Sequence, residues 1–363
     1  MATNTQIDNQ ANPETSPGPN DGVEPANGPM HRNSSGTIFL TANLILIALV
    51  ILVASPDNER SPLTPNSEPL VFGPLYDDPQ VVSDEQLQRV LHRIRPAFRD
   101  APSKLNTVDH ALRLWSPRAV FDDPDCLSGV ELLGLLTDHR QYQQHWGTAS
   151  EPFLLTNPNF ASPYIEFRTR SGARSSSHVD HTLATLAESG IPLDYPVHTK
   201  DGELPLRAAF AFSFDSFRLN QAEYEWSALA FLHYLPHAKS WTTKEGQRIT
   251  WDMIADRLMR QKLTQGSCYG THRLLTLVCI LRANEDHGLL STACRKEVTA
   301  FLIDVSARLA TTQHQDGYWT QGWPGAEWDG PSSKPALSID DRSQRILATG
   351  HTLEWWALAP EEV

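Results

Sequence analysis

The stretch Gln313–Trp319 reads Q-H-Q-D-G-Y-W, and it decides the fold that this sequence predicts. It follows a long helical pattern and precedes a run that contains Trp323 and Trp328. Asp316 and Gly317 form a turn signal, because glycine tolerates positive φ and an aspartate side chain bonds nearby backbone. Tryptophan is a large apolar anchor whose indole N–H needs a partner. The stretch therefore predicts a tight loop that acts as a clasp between helical hairpins.

An uncharged, mostly apolar stretch, residues 37–54, separates two proline-rich segments. Its length is at the short end of what crosses a bilayer as a helix, so it predicts a single transmembrane helix. A cleaved signal peptide would have a shorter apolar core closer to the N-terminus. Composition thus divides the chain into a disordered tail (1–36), the membrane helix, a proline-rich linker (55–80) and a globular domain (81–363).

The charge of the chain bears on its location and partners. Basic residues are nearly balanced across the apolar stretch, and a short tail before a first span usually stays cytoplasmic. We therefore expect a single-pass membrane protein with its globular domain on the extracytoplasmic side. The net charge of −13 argues against nucleic-acid binding through phosphates.

From residue 83 onward the hydrophobic periodicity is helical, beginning at the capping box Ser83-Asp-Glu-Gln86. No run of alternating apolar and polar residues is long enough to require a sheet, so the sequence predicts an all-α fold. The further predicted helices span Ser128–Tyr142, His178–Ser189, Glu203–Leu219, Glu223–Leu235, Thr250–Leu263, Thr271–Ala283, Ser291–Thr312 and Ser343–Ala359.

Alternate helices of this set begin roughly 45–48 residues apart, near residues 178, 223 and 271, with another near 345. That is the period of helical hairpins stacked side by side. Two architectures fit the period: an open α-solenoid, or a closed toroid of inner and outer helices. About ten helices are countable, two short of six hairpins, so a toroid is incomplete or the pattern misses a pair.

The loop Gln313–Trp319 resembles the QW motif of terpenoid cyclases and of related α/α-toroid proteins such as the protein prenyltransferases. The resemblance implies a closed toroid. The catalytic signatures of these enzymes are absent: the sequence has no Asp-x-Asp-Asp string and no adjacent Cys-His pair of the lanthionine cyclase type. Where an Asp-x-Cys zinc motif needs aspartate, Cys126 has Pro124 and Cys268 has Gly266. The resemblance therefore implies an architecture and not a reaction.

Polar residues recur at or near the starts of the alternate helices. In a toroid the inner helices are parallel, so their N-termini gather at one end and these polar groups converge on one cavity mouth. The groups lie in Ser177–His181, Glu223–Ser227, Cys268–Arg273 and Thr349–Trp355.

Cys268 and His272 are four residues apart, and His351 and Glu354 are three apart, so each pair shares a helical face. Thiolate, imidazole and carboxylate are all zinc ligands, and three of them with an open fourth position make a catalytic site. We predict a zinc site of Cys268, His272 and His351. The alternative is a buried apolar cysteine beside a structural histidine.

Catalytic roles are predicted for His178, His181, Glu225, His351 and Glu354. The first two histidines supply a ligand or an acid/base group, or they cap their helix. The glutamates supply carboxylates for general acid/base work, as in glycoside hydrolysis, or they complement helix dipoles.

Three functions fit the sequence. A metal-assisted enzyme would use the cavity on a lipid or isoprenoid-like substrate reached from the membrane. A carbohydrate-active lyase or hydrolase would use the histidines and glutamates, with the loop tryptophans as a stacking platform. The third function, a non-catalytic binding or scaffold domain, needs neither of these catalytic arrangements.

The four cysteines lack zinc-finger spacing. Cys279 and Cys294 are predicted to form a disulfide across a hairpin or to remain buried thiols.

Overall fold

The computed structural model of the chain describes residues 63–76, 80, 82–101, 103–156, 163–169, 172–325 and 342–363. These residues belong to one compact unit. The predicted tail and the predicted membrane helix over 37–54 lie outside them. Within the described part of the chain, no helix is long and apolar enough to cross a membrane.

The described residues are mostly helical, which confirms the predicted predominance of α-structure. In chain order the helices are α1 (Asp84–Arg93), α2 (Leu105–Trp115), α3 (Gly129–Thr137), α4 (His139–Trp146), α5 (His181–Glu188), α6 (Arg207–Ser216), α7 (Glu225–Tyr234), α8 (Trp251–Arg260), α9 (Thr271–His287), α10 (Thr292–Thr312) and α11 (Arg342–Leu358).

Three short β-hairpins correct the all-α prediction. They are formed by β1 (Leu154–Thr156) with β2 (Ile165–Phe167), β3 (Pro196–Thr199) with β4 (Gly202–Pro205), and β5 (Ser240–Thr242) with β6 (Arg248–Thr250), each pair antiparallel. Strands of three or four residues are too short to produce a readable alternation. Because β4 occupies 202–205, the helix predicted from Glu203 begins at Arg207 instead.

Five helices, namely α2, α5, α7, α9 and α11, pack against one another in that order. An ion pair between Arg113 on α2 and Glu354 on α11 brings the last helix of this series against the first. Helices α6, α8 and α10 pack on the outside of this series, α6 on α7, and α8 and α10 on α9. Every second helix from α5 onward therefore belongs to the inner set.

Side-chain caps account for where several helices begin. Ser83 and Ser128 each accept a hydrogen bond from the N3 backbone N–H of their helix, and the N3 side chain accepts one in return, so both are capping boxes. Thr250 and Ser291 cap α8 and α10 in the same way with a hydroxyl oxygen. The helix predicted over 128–142 is divided because Asp138 is extended and caps α4.

The proline-rich segment 63–76, predicted to be part of a linker, packs on the domain instead. The N–H groups of Asn66 and Leu70 donate to the carbonyls of Tyr234 and His233, and that of Leu75 donates to Ala357. Those carbonyls belong to the last turns of α7 and α11, where a helix leaves its C=O groups unpaired. The segment therefore covers the C-terminal ends of inner helices, opposite the ends at which α7 and α9 begin.

Within this contact, His233 is fully buried and its Nδ1 bonds to the carbonyl oxygen of Leu70. Burial lowers the pKa of His233 to about 4, so the unfolded chain binds its proton at higher pH than the folded chain. This histidine favours folding fully above about pH 6.5, and its contribution is lost as the pH falls towards 4. We expect about 2 kcal/mol of unfolding free energy to be lost between pH 7.5 and pH 5 through this group.

The substitution His233→Asn keeps a donor for the Leu70 carbonyl but cannot titrate. Denaturant unfolding at pH 7.5 and pH 5 should show a smaller difference between the two pH values for this variant than for the natural protein. An unchanged difference would contradict the assignment.

The tryptophan-rich loop joins three parts of the domain. The indole N–H of Trp319 donates to the carbonyl of Leu309 at the end of α10, and its backbone N–H donates to the hydroxyl of Thr349 on α11. The indole N–H of Trp323 donates to the carbonyl of Tyr269 at the start of α9. Both rings are buried. These contacts agree with the clasp interpretation, whereas Trp328 lies outside the described residues.

All four cysteines are free thiols. Cys279 and Cys294 remain buried thiols, so the alternative of a disulfide across the hairpin is wrong.

Candidate metal centre

One aromatic ring from each of the five inner helices meets at the centre of the domain. In order around the ring, they are His110 on α2, His181 on α5, Trp226 on α7, His272 on α9 and His351 on α11. Successive centroids are 5.6, 4.3, 4.2 and 4.4 Å apart, and His351 returns to His110 at 5.7 Å. We call this closed set of rings the aromatic belt.

Cys268 lies beside the belt on a tight loop, Gly266–Gly270, that leads into α9. Its φ is 48° and that of Tyr269 is 60°, in the left-handed region, which costs roughly 1–2 kcal/mol for each residue with a side chain. A Cβ added to Gly270 would lie 1.8 Å from the carbonyl oxygen of Leu263, so only glycine fits there. Strain of this kind persists where surrounding contacts fix the backbone, and it is typical of functional sites.

Those contacts come from buried polar side chains. Glu225 accepts a hydrogen bond from the backbone N–H of Ser267 at 3.1 Å, and the indole of Trp226 donates to the Ser267 hydroxyl at 3.2 Å. The buried guanidinium of Arg273 donates to four carbonyls of the preceding segment, those of Leu258, Gln261, Lys262 and Leu263. The loop that presents Cys268 is therefore held from several sides.

The Sγ of Cys268, a ring nitrogen of His272 and one of His351 lie within 4.8 Å of one another and could hold a metal ion. His272 is 1% exposed, and neither of its ring nitrogens has a hydrogen-bond partner among the described residues. A fully buried imidazole without a partner is costly and uncommon in folded proteins. Burial, followed by the nearby His351 and Arg113, lowers the pKa of His272 well below its usual value, which leaves a neutral ligand nitrogen.

His351 is oriented by Glu354, whose Oε2 lies 2.8 Å from Nδ1 of the ring. Because Nδ1 is occupied, Nε2 is the nitrogen that faces the centre. Glu354 is in turn paired with the buried Arg113, which also contacts Glu188 at 2.8 Å. Although burial opposes ionisation of Glu354, Arg113 and His351 lower its pKa to about 2, so the carboxylate is charged at neutral pH.

A second histidine approaches the thiol from another helix. Nδ1 of His178 lies 3.0 Å from Oε2 of Glu223, and the imidazoles of both His178 and His351 are close enough to stabilise the Cys268 thiolate. Burial disfavours the thiolate, but the two imidazoles prevail and lower the pKa of Cys268 to about 7. The thiolate and the glutamates likewise outweigh burial and raise the pKa of both histidines to about 9.

On the α2 side, Asp109 is completely buried and accepts a hydrogen bond from the hydroxyl of Thr182 at 3.0 Å. Its other oxygen lies 3.7 Å from Nδ1 of His181. Burial raises the pKa of Asp109 to about 7 and lowers that of His181 well below its usual value. Burial also lowers the pKa of His110 to about 4.

Most of the residues predicted to form a site lie close together. His181, His272 and His351 belong to the aromatic belt, and His178 and Cys268 lie beside it. Glu354 supports His351. Glu225, predicted to be catalytic, instead holds the backbone of the Cys268 loop.

The carboxylates expected for glycoside hydrolysis each have a partner of their own. Glu223 binds His178, Glu225 binds a backbone N–H, and Glu354 binds Arg113 and His351. A general acid for a glycosidic oxygen needs a protonated carboxyl that is free to reach substrate. The contacts of these three glutamates do not provide one.

The sequence prediction missed Asp109, His110 and Arg113 because it missed α2. A signal was present: Asp109 interrupts the apolar stripe of Leu105, Val108 and Leu112, and all four side chains are completely buried. A carboxylate in such a stripe is buried only when it is paired or functional.

No known protein family, no curated protein and no solved structure matches this chain.

Proposed function

We propose that the chain is a metal-dependent enzyme whose zinc ion is held by Cys268, His272 and His351. The observation that carries the proposal is the buried His272, whose two nitrogens have no hydrogen-bond partner among the described residues and lie beside a thiol and a second imidazole. A nearby cation would satisfy a group that otherwise destabilises the fold. The mixed sulfur and nitrogen donor set suits zinc better than magnesium or calcium, which prefer oxygen.

The support around the three donors also fits a metal. Metal-bound histidines usually donate their second N–H to a carboxylate, which fixes the ring and raises its basicity. Glu354 supplies that carboxylate to His351 at 2.8 Å. Arg113 keeps Glu354 ionised, so this support persists at neutral pH.

The same proposal places the site in an α/α toroid. The order of the inner helices, the contact of α11 with α2 and the outer position of α6, α8 and α10 support a ring of five inner helices within the described residues. This is one fewer than the six inner helices of a complete hairpin barrel.

Zinc with three protein ligands keeps an open position, where it polarises a carbonyl or lowers the pKa of a bound water. His178 lies near the thiol, is held by Glu223 and can give or take a proton there. Its location fits general acid/base catalysis. Within the aromatic belt, His181, Trp226, His272 and His351 are buried side chains.

We propose a lipid or isoprenoid-like substrate and an extracytoplasmic domain anchored by one membrane helix. The apolar stretch over 37–54 and the short tail before it support the anchor and its orientation. An anchored domain meets lipids at high local concentration.

A second candidate function is nucleophilic catalysis by the thiol of Cys268. The observation that favours it is the pair of imidazoles beside the thiol, His178 and His351, each oriented by a glutamate, together with the strained loop at the start of α9. A nucleophile, a base and an orienting carboxylate form the general arrangement of acyl-transfer enzymes.

Metal analysis of the purified full chain separates the two candidates. The metal proposal expects at least one equivalent of zinc, lost from His351→Ala and kept in His198→Ala, which removes an exposed histidine elsewhere. Ester and phosphoester probes such as p-nitrophenyl acetate and p-nitrophenyl phosphate report turnover. Chelation should abolish turnover and expose Cys268 to iodoacetamide. Less than a tenth of an equivalent of zinc, with turnover that survives chelation and is lost on alkylation, would establish the thiol enzyme instead.

A further inference from the structure

His181 is the second buried histidine without hydrogen-bond partners. It is 1% exposed, and neither ring nitrogen has a hydrogen-bond partner among the described residues. It does not belong to the group of Cys268, His272 and His351, since Trp226 lies between His181 and His272 in the aromatic belt. The proposed zinc ion therefore does not account for it.

The neighbouring Asp109 also has a buried polar atom without a hydrogen-bond partner among the described residues. Oδ2 of Asp109 is completely buried and has no hydrogen-bond partner in the described part of the chain, although it lies 3.7 Å from Nδ1 of His181. Native interiors leave few polar atoms in this condition, and here three of them meet: one carboxylate oxygen and both nitrogens of one ring. The simplest explanation is that one bound group satisfies these unpaired atoms together.

His110 lies beside His181 in the aromatic belt. Its Nδ1 lies 2.7 Å from the carbonyl oxygen of Asn106 and must donate its hydrogen, because a carbonyl can only accept. In the neutral ring this leaves Nε2 with a lone pair. The rings of His110 and His181 are 5.6 Å apart, and that of His110 is 5.7 Å from His351.

We propose that His110 and His181 hold a second divalent transition-metal ion beside the first, making a two-metal centre. Asp109 would then receive the Nδ1 hydrogen of His181, just as Glu354 receives that of His351. Two imidazole ligands select zinc or a similar borderline cation, with the remaining positions left to water or substrate oxygen. The inference deepens the proposed function and rests on the first site for its neighbour.

The second ion would widen the chemistry of the site. Two adjacent cations hold the attacking and the leaving oxygen of one displacement, which is the arrangement used to hydrolyse phosphate esters and amides. The chain's own contribution is to fix two carboxylate-backed histidines, His181 and His351, on opposite sides of His110 in the belt.

The test is the metal stoichiometry of the full chain after loading with zinc and removal of the excess. The natural protein and the control His198→Ala should retain two equivalents. His181→Phe, which keeps a ring against Trp226, should retain one, and so should His272→Leu. His110→Gln provides a second variant of the new position.

Cobalt titration gives an independent readout. Only the first position contains a thiolate, so the sulfur-to-cobalt charge-transfer band should saturate at one equivalent while the ligand-field bands grow until two. One equivalent in both the natural protein and His181→Phe, lost from His272→Leu, would overturn the second site and leave the proposed function standing. No bound metal in any of these proteins would overturn both. One equivalent lost only from His181→Phe would retain the position of His110 and His181 and overturn the Cys268 site.

Discussion

Replacing His272 by leucine is expected to abolish zinc binding at the Cys268 site without lowering the stability of the protein measured in chelator. The two effects separate because His272 makes no hydrogen bond within the described residues and is completely surrounded by protein. Removing an unpaired buried polar group relieves a cost of about 1–3 kcal/mol, which offsets the change in packing. With zinc present at a thousand times the dissociation constant, the natural protein gains about 4 kcal/mol, and the variant loses this contribution.

Chemical denaturation in chelator and in zinc measures both parts of this expectation. His145→Leu is the matched control, since it removes another histidine with an unpartnered buried nitrogen, on α4 and outside the aromatic belt. The control should keep its stabilisation by zinc. A structural role for His272 would show the reverse pattern: a large loss of stability in chelator for His272→Leu and an undiminished response to zinc.

The second large effect concerns Arg113, for which we expect Arg113→Met to cost about 3–5 kcal/mol of unfolding free energy. Its guanidinium is almost buried and pairs with both Glu188 and Glu354, and its carbon atom lies 5.6 Å from the centre of the Trp226 ring. Methionine matches the length of the side chain but leaves two carboxylates without their cation. Denaturant unfolding at neutral pH measures the loss.

A double substitution shows whether charge is the cause. Arg113→Met combined with Glu188→Gln removes one of the two stranded charges and should recover part of the lost stability. The exposed pair of Arg260 and Asp256 provides the control, because Arg260→Met should change stability by no more than about 0.5 kcal/mol. Equal losses in the single and double variants would show that packing of the arginine stem, rather than its charge, is what α2 and α11 require.

The sequence allowed the convergence of polar residues to be predicted because it depends only on period and direction. Helices that begin near residues 178, 223 and 271 are every second helix, so their starts lie at the same end of a stacked array. That argument placed His181, Trp226 and Cys268 together without knowledge of any contact. The capping box at Ser83 could also be predicted from the sequence, because it depends on local chemistry alone.

Helix α2 could not be found in the same way. Its N-cap, Lys104, makes no side-chain hydrogen bond with the helix, so the usual start signal is missing. Asp109 and His110 interrupt its apolar pattern with two adjacent polar residues. Asp109 and His110, the residues of α2 that belong to the candidate site, therefore also concealed the periodicity of the helix.

The conformation of Cys268 is a further property that no local pattern contains. A non-glycine residue rarely adopts positive φ, and here the preference is overridden by Glu225 and Trp323, which are distant in sequence and bond to the residues on either side of Cys268. Arg273 holds the segment that leads into the loop. The spacing of Cys268 and His272 predicted a shared helical face. In the folded chain Cys268 precedes α9, and the loop brings its thiol to the ring of His272 by another route.

The aromatic belt can form only when all five inner helices are in place. Each inner helix contributes one ring, so a fragment that lacks any of these helices cannot form the closed belt. Loss of the last helix would remove His351 and the partner of Arg113 at once, and insertion of another hairpin would separate rings that now touch. The number of inner helices and the set of side chains that meet in the belt can therefore change only together.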